Sequence, residues 1–100
     1  MNQPESPQVK ALKERYKASF PEKIELLNEQ LLSLSTQASE KSGFVEVRES
    51  LHKLAGSSGM YGYDDISLSC RNAMSIIDEA DTVGLSSGLK EVIRLLEQYI

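Results

Sequence analysis

Prolines stand only at positions 4, 7 and 21, so the chain beyond Pro21 lacks the residue that most often ends or kinks a helix. Its apolar residues recur at spacings of three and four, with no sustained period-two alternation and few β-branched runs. Val9, Leu12, Tyr16 and Phe20 make a first stripe, beginning from about Gln8. Ser19-Phe20-Pro21-Glu22 then reads as a capping box with Ser19 at the N-cap and Pro21 in the tolerant first turn. The helix it opens carries Ile24, Leu27, Leu31 and Leu34, reinforced by Leu26 and Leu32.

A polar connector at 35–42 leads to Ser42, a candidate cap for a third helix bearing Phe44, Val47, Leu51, Leu54, Ser58 and Tyr61. Gly62 fits that helix's C-terminal stop, and Asp64 or Asp65 fits the next N-cap. A fourth stripe holds Ile66, Cys70, Ala73 and Ile77, widened by Leu68, Met74 and Ile76. After an acidic, turn-like stretch at 78–84, the last stripe, from about Leu85, is Leu89, Val92, Leu96 and Ile100. Short connectors favour antiparallel neighbours, so the expected fold is all-α: an antiparallel four-helix bundle with an additional short N-terminal helix. Residues 1–7 read as a flexible N-terminal segment and 8–100 as one bundle domain without internal repeats.

One hundred residues suffice for a single small core. The net charge is −4, with eleven basic residues scattered among fifteen acids, which argues against nucleic acid as a partner. Cys70 is the only cysteine, so no intrachain disulfide forms and a cytoplasmic setting is expected. The polar start lacks the features of a secretory signal, and no apolar run approaches the roughly 20 residues of a membrane span. One histidine and one cysteine fall short of a usual zinc site, so no metal is expected.

His52 is the only histidine. Turning about 100° per residue along the third helix places it well over 90° from the centre of the apolar stripe, facing solvent. Ala55, Gly56 and Gly59 follow it at helical spacing, while Arg48, Glu49 and the apolar Val45 precede it. A lone surface histidine carries no function by itself, and glycines near a helix end serve packing or termination as readily as docking. The conjunction of an exposed ring and a bare adjoining turn points to a reactive imidazole that a second protein must approach closely.

The run His52-Lys53-Leu54-Ala55-Gly56-Ser57-Ser58, followed by Tyr61-Gly62, resembles the histidine-containing phosphotransfer (HPt) domain family. Cys70 falls where that family often has a cysteine or small residue, and the resemblance spans about 10–100. It implies a histidine that accepts a phosphoryl group, through Nε2, from a receiver-domain phospho-aspartate and passes it to another receiver. It also implies no kinase activity, no cofactor of its own, and Mg²⁺ supplied by the receiver. Receiver domains and a hybrid sensor kinase are then the partners of a cytoplasmic monomer. Met1 and the short start favour a free-standing shuttle.

One departure stands out. The lysine often found three residues after the histidine is Ala55 here, as in a subset of bacterial members. Arg48 is then the better-placed supporting cation, Lys53 is turned about 100° away, and Arg71 on the next helix is a weaker candidate. Val45, Gly56 and Gly59 complete the expected receiver-docking face.

The chemistry is consistent with that implication. Imidazole, with an ordinary pKa of about 6.5, is largely neutral and nucleophilic near neutral pH. The sequence offers no Gly-x-x-x-x-Gly-Lys loop and no obvious carboxylate cluster for magnesium, so a partner must bring the rest of the site. The alternative is an interaction module that docks signalling proteins without carrying phosphate, using Val45, Met60 and Tyr63. A hydrolase is disfavoured because no Ser/His/Asp set assembles, and the box of a dimerising histidine-kinase helix is absent.

Overall fold

The computed structural model describes residues 6–36, 41–77 and 82–100. They form α1 (Pro7–Lys17), α2 (Phe20–Thr36), α3 (Lys41–Met60), α4 (Asp64–Ile77) and α5 (Thr82–Glu97), with no strand among them. Helix α1 starts at Pro7, with Ser6 as its cap: Ser6 Oγ accepts from Val9 N at 3.2 Å. The expected flexible segment 1–7 is therefore already ordered at its last two residues, and its first five lie outside the described residues. The connectors expected at 35–42 and 78–84 are shorter, because α2, α3 and α5 run into them; 37–40 and 78–81 also lie outside the described residues.

The first two helices are not separate members of the bundle. Only a turn at Ala18 and Ser19 parts them, and the bonding carries across it, from Ala18 N to Glu14 O (3.0 Å) and Lys23 N to Ser19 O (3.2 Å). Pro21 lacks an N–H and its ring crowds the carbonyl four residues back, which bends a helix without detaching its two halves. The additional N-terminal helix is thus the arm of one bent helix. Nor does the capping box form: Ser19 Oγ donates back to the Tyr16 carbonyl and accepts from Lys23 Nζ at 3.0 Å.

Four helical rods pack in a closed ring, α2 on α3, α3 on α4, α4 on α5 and α5 on α2. Phe20, Leu27, Leu34, Val47, Leu51, Leu54, Ile66, Cys70, Ala73, Leu85, Leu89, Val92 and Leu96 are buried at its centre. Truncating one of these leucines to alanine costs about 2–5 kcal/mol. The outer members of the expected stripes, Leu32, Leu68 and Ile100, are exposed, as are Val9 and Leu12 of α1, which buries no residue.

Gly62 ends α3 with a φ of 85°. Tyr63 N bonds to Ser58 O at 2.8 Å and Gly62 N to Gly59 O at 3.2 Å, the paired bonds of a Schellman stop. The chain reverses at once into α4. Asp64 and Asp65 lie inside its first turn, and the Tyr63 carbonyl takes the first bond, from Ser67 N at 3.1 Å. The two acids complement the helix dipole there instead of capping it. At this end Tyr16 stacks on Tyr61 (centroids 4.7 Å), and Phe20, Tyr63 and Tyr99 meet edge to face at 4.9–5.9 Å. Tyr63 is buried in this cluster, which removes it from the docking patch expected for an interaction module.

Candidate functional site

Helix α3 presents two faces. Val47, Leu51, Leu54 and Ser58 are buried, while His52 is exposed opposite them, as the wheel requires. Ser58 sits within the apolar stripe without penalty because its hydroxyl donates to the Leu54 carbonyl one turn back, at 2.5 Å. Around the imidazole, Val45, Arg48, Glu49 and Lys53 line a shallow depression of about 430 Å³. Four of the expected site residues thus come together: His52, Arg48, Lys53 and Val45. Lys53 and Glu49 also edge a groove of about 260 Å³ between α2 and α3, floored by Leu26, Leu27 and Leu54. Val45 is 61 % and Met60 78 % exposed on the same side of α3.

The three small residues after His52 have three different environments. Ala55 is buried, 7 % exposed, so its side chain leaves the docking face and joins the packing against α4. Gly59 sits against Ser67, whose Oγ lies 3.3 Å from where a Cβ would be. Gly56 is different: a Cβ there would meet nothing within 4 Å. A helical glycine costs about 1 kcal/mol relative to alanine, and at Gly56 no contact inside the protein accounts for that cost.

Several polar contacts around this turn are invisible to spacing within one helix. The Tyr16 and Ser57 hydroxyls share a hydrogen bond of 2.5 Å, tying α1 to the turn after His52, and Ser57 Oγ bonds the Lys53 carbonyl at 2.9 Å. Burial raises the Tyr16 phenol above its ordinary pKa, against the opposing bond from Ser57, so it stays protonated at neutral pH. On the other flank Ser67, itself buried, donates to the Ala55 carbonyl at 2.8 Å and accepts from Arg71 Nη2 at 2.8 Å. Cys70 is fully buried, and burial pushes its thiol up to about 12, so it is packing and not a nucleophile. Among the described residues no three His, Cys, Asp or Glu side chains gather where a metal ion would need them.

An exposed histidine thus stands on the second rod of a four-helix bundle, beside a glycine that no internal contact explains. The Hpt domain family model matches residues 11–100. The chain belongs to the Hpt domain family. Hpt domains are phosphocarrier modules of two-component signalling that meet receiver partners, and they are not kinases. The match begins inside α1, so the bent helix is part of the Hpt domain. No curated protein and no solved structure matches the chain significantly. No helix among the described residues is long and apolar enough to cross a membrane.

Proposed function

We propose that this Hpt domain works in a cytoplasmic phosphorelay, with His52 as the residue that carries phosphate. A receiver's phospho-aspartate meets the imidazole in line, the Nε2–P bond forms as the aspartyl O–P bond breaks, and a second receiver takes the group in the reverse sense. The partner brings its aspartate and the Mg²⁺ bound beside it. This chain supplies the nucleophile and a face that receiver loops close over. Gly56 carries the reading: it is a costly helical glycine without an internal contact to explain it, one turn from an exposed histidine. Val45, Arg48 and Lys53 ring the imidazole and meet the partner. Gly59 and Ala55 act from beneath by letting α4 approach.

Incubation with a phosphorylated receiver followed by mass measurement tests the assignment. One phosphoryl group on the peptide holding His52 is expected. The His52→Gln variant should accept none while melting at the wild-type temperature, because surface substitutions stay within about 0.5 kcal/mol. Acid-labile, base-stable phosphate retained by that variant contradicts the assignment. A receiver that binds wild type but never phosphorylates it favours the pure interaction module.

A further inference from the structure

A phosphoryl group on His52 places up to two negative charges on a solvated helix face, where a positioned cation stabilises it. Arg48 and Lys53 stand on α3 itself. Arg48 lies one turn before His52 and lines the same depression. Lys53 lies about 100° round the helix. Arg71 comes from the neighbouring helix and is held by a specific contact: its Nη2 donates to Ser67 Oγ at 2.8 Å, and Ser67 in turn donates to the Ala55 carbonyl at 2.8 Å.

That contact fixes a place on α3. Ala55 and Gly59 lie about 60° and 20° to one side of His52 by helical rotation, and Ser67 packs against both. The chain reverses through Gly62, so α4 runs back along α3. The Arg71 backbone, one turn of about 5.4 Å beyond Ser67, therefore comes level with the His52 turn, while its guanidinium reaches back to Ser67 beside Ala55 and Gly59. Gly56, where a Cβ would meet nothing within 4 Å, leaves that turn of α3 open.

We propose that Arg71 is the cation that pairs with the phosphoryl group on His52, with Ser67 holding its guanidinium against α3 until the group arrives. The inference rests on His52 being the phosphorylated residue. A guanidinium presents several N–H groups in one plane, so it can bond two phosphoryl oxygens at once. Arg71 touches the transferred group and not the imidazole, and it acts on that group as it arrives and while the domain holds it.

The test uses the intact domain, phosphorylated on histidine by phosphoramidate and titrated by ³¹P NMR, with Arg71→Gln, Arg71→Lys and Arg48→Gln beside wild type. Removing a paired cation disfavours the dianion, so the second ionisation of the phosphoryl group should move to higher pH in Arg71→Gln. It should return most of the way in Arg71→Lys and stay in place in Arg48→Gln. Acceptance from a phosphorylated receiver should slow about tenfold in Arg71→Gln, the scale of one charge-assisted hydrogen bond, with the KM for that receiver unchanged. A wild-type ³¹P titration in Arg71→Gln, or a shift produced by Arg48→Gln instead, overturns the proposal. Absence of phosphohistidine in wild type sinks the His52 reading itself, and the two failures are told apart in one spectrum.

Discussion

Gly56 and Gly88 both sit inside helices, and their surroundings are opposite. At Gly88 in α5 a Cβ would lie 3.0 Å from Ala73 Cβ and 3.4 Å from its Cα, so the missing side chain lets α4 and α5 touch. At Gly56 in α3 the same atom would enter open space. Both cost helix propensity, but only Gly88 is compensated within the fold. The contrast teaches that a small residue with no neighbour is a statement about something outside the chain. The core side of the molecule therefore answers to stability measurements and the His52 side to partner measurements.

The largest effect should appear on the core side. Gly88→Leu forces a side chain between two helices already in contact, and overpacking of this kind costs about 3 kcal/mol, or roughly 10 °C or more in Tm for a domain of this size. A variant that melts within 2 °C of wild type (about half a kilocalorie on that scale) would erase the distinction between the two glycines.

An intermediate effect concerns pH. Burial raises the Cys70 thiol to about 12, whereas the unfolded chain ionises near 8.5. The unfolded state thus loses its proton first, so stability is full below about pH 8.5 and falls as pH rises toward 12. The loss reaches about 1–2 kcal/mol by pH 10. Melting curves between pH 8 and 10.5 should fall less steeply in Cys70→Ala than in wild type. Equal slopes would mean that the thiol is not as buried as its place on the inner face of α4 implies.

The smallest stability effect should be at Gly56. Gly56→Gln adds a Cβ that meets nothing within 4 Å and gains helix propensity, so it should melt at or slightly above the wild-type temperature, by up to about 1 kcal/mol.

The buried stripes were legible in the sequence because apolar spacing within one helix is a local property. Leu51, Leu54, Ile66, Cys70, Leu89, Val92 and Leu96 are all in the core where spacing placed them. The exposure of His52 followed from the same arithmetic. The bend at Pro21 was not legible, since a proline in a first turn and one that kinks a continuing helix look alike in sequence. Ala55 lies at the edge of the wheel, where burial depends on how closely the next helix approaches. The bonds from Arg71 to Ser67 and from Ser67 to Ala55 depend on the register between α3 and α4, which no single-helix pattern encodes.

On the proposed function, Gly56 keeps the His52 face open for a receiver. One experiment on Gly56→Gln tests it directly, comparing phosphorylation of His52 by phosphoramidate with phosphorylation by a phospho-receiver. Wild-type reaction with the small donor is expected, with transfer from the receiver at least a hundredfold slower, roughly 2.7 kcal/mol of lost approach. Transfer from the receiver at the wild-type rate, in a variant that folds and reacts normally with phosphoramidate, would contradict it.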